Sequence, residues 1–116
     1  MLYTIDKKQI TVIPHLANYK RWRAKLTEKQ YTEIMEALEK ILDGDEVVVS
    51  SFIPGSNWQY PYYHIYTACD NDYQNSAFFF GLLVWEAVMK HGATWSFIHK
   101  PKEDPIRGKR YFRITL

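Results

Sequence analysis

Ala77-Phe78-Phe79-Phe80-Gly81-Leu82-Leu83-Val84-Trp85 is the most apolar run in the chain, and its reading decides the fold. No other segment could be hidden as completely, so this one must be a core element. Upstream of it, Asp70-Asn71-Asp72 is rich in residues that cap helix N-termini. Downstream, Lys90 and His91 suit the negative end of a helix dipole, and Gly92 supplies a stop. A helix over 72–91 follows. Its rings and aliphatic side chains cover most of the circumference, so it must be packed on several sides. Gly81, interior to it, costs ~1 kcal/mol against alanine. The expected return is close approach of a neighbouring strand or helix.

The approach to this helix has a different character. Trp58, Tyr60, Tyr62, Tyr63, Tyr66 and Tyr73 crowd into a segment whose only charges are Asp70 and Asp72. Pro61 precedes Tyr62 to Cys69, whose residue types favour an extended strand. In that reading Tyr62, His64, Tyr66 and Ala68 share one face, and Tyr63, Ile65, Thr67 and Cys69 the other. Tyrosines along a strand often do no more than cover the core edge with their hydroxyls in water. Amphipathic rings flanked by carboxylates can also anchor a basic or cationic partner. Trp58, Tyr60, Tyr62, His64 and Tyr66 are therefore the candidate binding residues.

Towards the N-terminus, Thr27 and Gln30 make a capping box, with Leu26 and Tyr31 placed as its hydrophobic staple. Tyr31, Ile34, Met35, Leu38, Ile41 and Leu42 form one apolar stripe, and Gly44 offers a left-handed exit. A helix over 28–43 is expected. A shorter amphipathic helix over 15–26 follows from Leu16, Tyr19, Trp22 and Leu26 at helical spacing. Leu2 to Ile5 and Ile10 to Ile13 read as a hairpin, Val47 to Phe52 as a buried strand, and Trp95 to Ile98 and Tyr111 to Leu116 as the last two strands. The polar stretch from His99 to Arg110 reads as a mobile loop. The fold class is α+β: one domain over 1–116, with an antiparallel sheet of about four to six strands packed with the helices.

Composition bounds the function more than it names it. With 116 residues, 47% of them hydrophobic, the chain can build a core without staples. One cysteine excludes an intrachain disulfide framework. The start of the chain shows no secretory pattern, and the apolar run stops at Glu86, short of the ~20 residues a membrane span needs. A soluble, cytoplasmic setting without a membrane partner is expected.

Chemical motifs are sparse. Cys69 with a histidine could form a nucleophilic dyad, but in a strand His64 and Cys69 point to opposite faces. A lone cysteine is more often a small buried hydrophobe. Asp70, Asp72 and Gln74 open like a calcium loop, yet Asn75 stands where the turn wants glycine and Gly81 where a glutamate belongs. The four histidines have no zinc spacing, and phosphate-binding glycine loops are absent. No cofactor, metal or catalytic residue is expected.

The formal charge is only +2, but every Lys and Arg precedes Ile41 or follows Met89. Two basic groups could grip a nucleic-acid backbone and stack on a base: Arg21, Trp22 and Arg23 with their neighbours, and Arg107, Lys109 and Arg110 beside Tyr111. A sequence pI of about 8.6 is below the footprint of a clear nucleic-acid binder. The leading expectation is a non-catalytic protein-interaction module using the aromatic surface. A nucleic-acid binder is the alternative, and a small enzyme using Cys69 or a histidine the second alternative.

Overall fold

The computed structural model describes residues 1–49, 58–99 and 109–116. The expected end of the third strand at 50–52, the Pro54-Gly55 stop and most of the 99–110 loop lie outside the described residues. The elements run β1 (Leu2–Tyr3), β2 (Gln9–Ile10), α1 (Leu16–Arg23), α2 (Glu28–Gly44), β3 (Val47–Val49), α3 (Tyr63–Ala68), α4 (Tyr73–Lys90), β4 (Trp95–His99) and β5 (Lys109–Arg113). The α+β class holds, with helices gathered on a five-stranded sheet of order β2-β1-β4-β5-β3.

The sheet is mixed rather than antiparallel. Three of its pairs are antiparallel, but β1 runs parallel to β4, with Leu2 opposite Trp95. Parallel neighbours need a long crossover, and the chain supplies one in the helices between them. The β1–β2 hairpin is shorter than expected because it turns at Thr4. Thr4 accepts from Lys7 N and donates its own N–H to Lys8 O, both at 2.9 Å, with Lys7 in the left-handed region at φ 63°. Strand β5 covers Lys109–Arg113 instead of Tyr111 to Leu116. Its ladder with β4 ends at the Trp95↔Arg113 pair, and Ile114 N makes one last bond to Thr94 O. Tyr111 carries the buried face of this strand.

Helix α4 is the packed centre. It lies against α1, α2, α3 and β1, and most of its residues from Phe79 to Val88 are buried. Asp72 caps it, accepting from Asn75 N at 2.8 Å, while Asp70 and Asn71 take left-handed backbone just before. Those are the residue types that tolerate it best after glycine. Gly81 is not explained by close packing, because among the described residues a Cβ there would meet nothing within 4 Å.

Helix α2 begins as its capping box dictates, with Gln30 N bonded to Thr27 Oγ1 at 3.1 Å and Thr27 N to Gln30 Oε1 at 3.0 Å. The glycines at the two helix ends are not left-handed exits. Gly44 is the last residue of α2 and Asp45 leaves in extended backbone. At the end of α4 it is His91 that leaves extended, at φ −66° and ψ 145°. Side chains do the terminating work instead. Arg113 Nη2 donates to Leu42 O at 2.7 Å, bringing a cation to the end of α2, whose last turn has none of its own. The His91 Nδ1 accepts from Ala93 N and from Trp95 Nε1, both at 3.1 Å. The ring proton therefore sits on Nε2, 2.6 Å from Asp43 Oδ1. This knot joins the ends of α2 and α4 to the first residue of β4.

The largest departure is α3. Tyr62 to Cys69 is not extended; Tyr63–Ala68 is a helix. Its buried residues are Tyr62, Ile65, Ala68 and Cys69, at helical spacing, with Tyr62 packed edge-on to Phe80 at 5.5 Å. Tyrosine, isoleucine and threonine favour strands weakly, and contact with a wide apolar helix outweighs that preference.

An aromatic arc around the third helix

Turning the strand into a helix rearranges which rings reach solvent. Tyr62 is 2% exposed and belongs to the core, so it leaves the candidate surface. Tyr63, assigned to the core-like face in the strand reading, is 44% exposed, and Tyr73 is 70% exposed. Tyr60 is 65% exposed, and Trp58, His64 and Tyr66 are half-buried. The signal for this was in the spacing of Tyr62, Ile65 and Ala68, three residues apart.

The exposed rings form two contacting groups. Trp58 stacks on Tyr66 at 6.0 Å and 16° and meets Tyr73 and Phe80 edge-on, while Tyr66 meets Tyr73 at 5.5 Å. Tyr63 lies 4.0 Å from the His64 ring and 6.0 Å from Tyr60. Tyr63 and Tyr66, three apart on α3, are neighbours on its surface, so the groups join into one arc from Tyr73 to His64. Ring-on-ring contacts hold the arc's shape without help from its hydroxyls.

Carboxylates stand at both ends. Glu33 of α2 approaches His64 Nε2 at 3.6 Å and hydrogen-bonds the Tyr60 hydroxyl, which pushes the Tyr60 phenol above its ordinary value. Asp72 adjoins Tyr73 as the cap of α4. Lys25, across a depression of about 280 Å³ that Tyr63 and Thr67 help to line, is paired with Asp70 at 3.3 Å.

The chain's own cations stack elsewhere. Arg21 lies over Trp22, Arg23 and Lys90 over Tyr31, Lys109 over Trp85 and Arg113 over Trp95, at 3.7 to 5.6 Å. Among the described residues, none covers Trp58, Tyr60, Tyr63, Tyr66 or Tyr73.

The other candidates are dispersed. Trp22, the ring expected to stack on a base, is 4% exposed, and Arg23 is bonded to Glu28 at 2.9 Å as well as seated on Tyr31. Tyr111 is buried too. Lys109 and Arg110 are half-buried on β5, and Arg107 lies outside the described residues. Cys69 is buried, and burial pushes its thiol up to about 11, far from the thiolate a nucleophile needs. Among the described residues no cluster of histidine, cysteine, aspartate and glutamate could hold a metal ion, and no helix is long and apolar enough to cross a membrane.

The chain matches no protein-family model, and neither the curated proteins nor the solved structures hold a significant match to it.

Proposed function

We propose that the protein is a non-catalytic interaction module whose aromatic arc around α3 captures a lysine- or arginine-bearing segment of another protein. The observation that carries this reading is a set of mutually braced, solvent-reaching rings that no cation among the described residues covers, while five such contacts seat cations on Trp22, Tyr31, Trp85 and Trp95. A cation over such a ring contributes about 0.5–2 kcal/mol, more where water is excluded. Glu33 and Asp72 supply the complementary charge at the two ends. Rigid tyrosines are also the side chains that anchor interfaces at least entropic cost.

The test uses a fluorescein-labelled peptide with alternating arginine and leucine, and a glutamate–leucine peptide as control, both followed by anisotropy. The formal charge of +2 gives the basic peptide no overall attraction, so capture reports a local surface. Tyr60→Ala with Tyr63→Ala removes two exposed rings and should weaken capture by at least ~30-fold, the scale of an interface hot spot. Equal retention of the acidic peptide, or undiminished capture by the double variant, would remove the proposal.

A further inference from the structure

His91 follows the last residue of α4 and opens the turn into β4, and its ring is buried there. A neutral imidazole has one donor nitrogen and one acceptor nitrogen. Both are engaged: Nε2–H donates to Asp43 Oδ1 at 2.6 Å, and Nδ1 accepts from Ala93 N and Trp95 Nε1, each at 3.1 Å. Trp95 has no exposed surface, and among the described residues His91 Nδ1 is the acceptor that its indole proton finds. The same short turn seats the first strand. Trp95 N donates to Met1 O at 2.9 Å, and Leu2 stands opposite Trp95 in the parallel pair. Strand β2 lies beyond β1 at the end of the sheet order, so the β1–β2 hairpin joins the sheet through this pairing.

Histidine is the side chain that gains a proton on mild acidification. On His91 a second proton can go only to Nδ1, where it would face two N–H donors. Turning the ring over does not help, because a doubly protonated imidazole has no acceptor. A buried indole N–H stripped of its acceptor costs more than the bond itself contributes. The charged ring and the closed turn therefore oppose each other. The charges around the ring are balanced. From α2 come Glu39 and Asp43, whose side chain is 63% exposed and so screened by water, and α4 adds Lys90. The Met1 ammonium donates to Val88 O, His91 O and Ala93 O, and the Arg113 guanidinium of β5 lies 5.3 Å over the Trp95 ring. Two carboxylates meet three cations, which leaves the hydrogen bonds to decide.

We propose that His91 is an acid-operated latch, whose second proton opens the 91–95 turn and frees the β1–β2 hairpin from β4. The open form binds one more proton than the closed one, so opening rises by up to about tenfold for each pH unit of acidification. It is a local event, because the interiors of α2 and α4 are packed by other residues.

The test is hydrogen exchange in ¹H–¹⁵N spectra of the full chain from about pH 7.5 to about pH 5.5, the range over which imidazoles change charge, corrected for the intrinsic rate at each pH. The opening constants of the Trp95 indole and Trp95 amide should rise at least tenfold. Those of the Leu38 and Leu83 amides, mid-helix in α2 and α4, should change less than twofold. His91→Asn keeps an acceptor oxygen near the place of Nδ1 and does not titrate, so it should flatten the Trp95 profile. Should that variant fail to fold, the ring ¹⁵N shifts of His91 in the parent decide, since its second proton should arrive together with the loss of Trp95 protection. A Trp95 profile independent of pH, Leu38 and Leu83 rising in step with it, His91→Asn keeping the parent's pH dependence, or His91 gaining its proton with the Trp95 indole still protected would overturn the proposal.

Discussion

Glu86 shows how single residues carry this structure. It lies on the most hidden helix, 6% exposed, and accepts from the Tyr19 hydroxyl at 2.5 Å and from the Tyr31 hydroxyl. Lys90 donates to Tyr31 Oη at 3.0 Å and stands 4.0 Å from Glu86. One carboxylate thus ties α1 and α2 to α4, and burial is affordable only because both phenols donate to it. Tyr19→Phe removes one charge-assisted bond and should cost about 1.5–3 kcal/mol in urea denaturation; a change below ~0.5 kcal/mol would show that the bond is not made. The same contacts set a pH response. Burial, then Glu86, pushes the Tyr19 and Tyr31 phenols above 10.0, and burial alone does so for Tyr62 and Tyr111. Raised pKa values mean stability that is whole below pH 10 and is lost as the pH climbs above it, because the unfolded chain ionises first. Absorbance at 295 nm should therefore show some of the nine tyrosines ionising only as circular dichroism reports unfolding. Complete ionisation before any loss of helix would contradict this.

Two elements make predictions of opposite sign. Thr27→Ala removes the hydroxyl that accepts from Gln30 N, one of the two bonds of the α2 capping box, and should destabilise the fold by about 1 kcal/mol. Gly81→Ala removes a helix-interior glycine into open space and should stabilise it by about as much. Thermal melts of the two variants should move apart; a destabilised Gly81→Ala would mean that the space beside Gly81 is not open. The capping box was legible in the sequence because its partners are three residues apart and need nothing else. The length and position of α4 were legible because a wide apolar run between caps admits few alternatives. Helix α3 was not, because six residues of strand-favouring type offer a period too short to separate from alternation. Its conformation depends on Phe80, beyond the reach of a local pattern. The helix exits misled for a related reason: Gly44 and Gly92 suggested backbone termination, whereas Arg113, Asp43 and Trp95 supply side-chain partners from distant parts of the chain.

At the scale of the molecule, the class and most strands could be read, and the strand order could not. Nothing local places β1 beside β4, since four helices separate the two strands along the chain. The candidate surface divides in the same way. That rings crowd between 58 and 73 is plain in the sequence, and Trp58, Tyr60, His64 and Tyr66 do stand together. Which rings face water depended on the helix, so Tyr62 exchanged places with Tyr63, and Tyr73 joined. The charge pattern was equally visible as basic ends around an acidic middle. Its folded consequence, cations seated on Trp22, Tyr31, Trp85 and Trp95 and none of the described residues' cations over the arc, needed the tertiary structure. The most direct test of the arc is a side-chain aromatic ¹H–¹³C map of the protein titrated with the arginine–leucine peptide. The prediction is that shifts concentrate on Tyr60, Tyr63, Tyr66, Tyr73 and Trp58, and spare Trp85 and Phe97. Shifts spread evenly over the rings, or gathered at Trp85 and Phe97 with the arc unmoved, would contradict it.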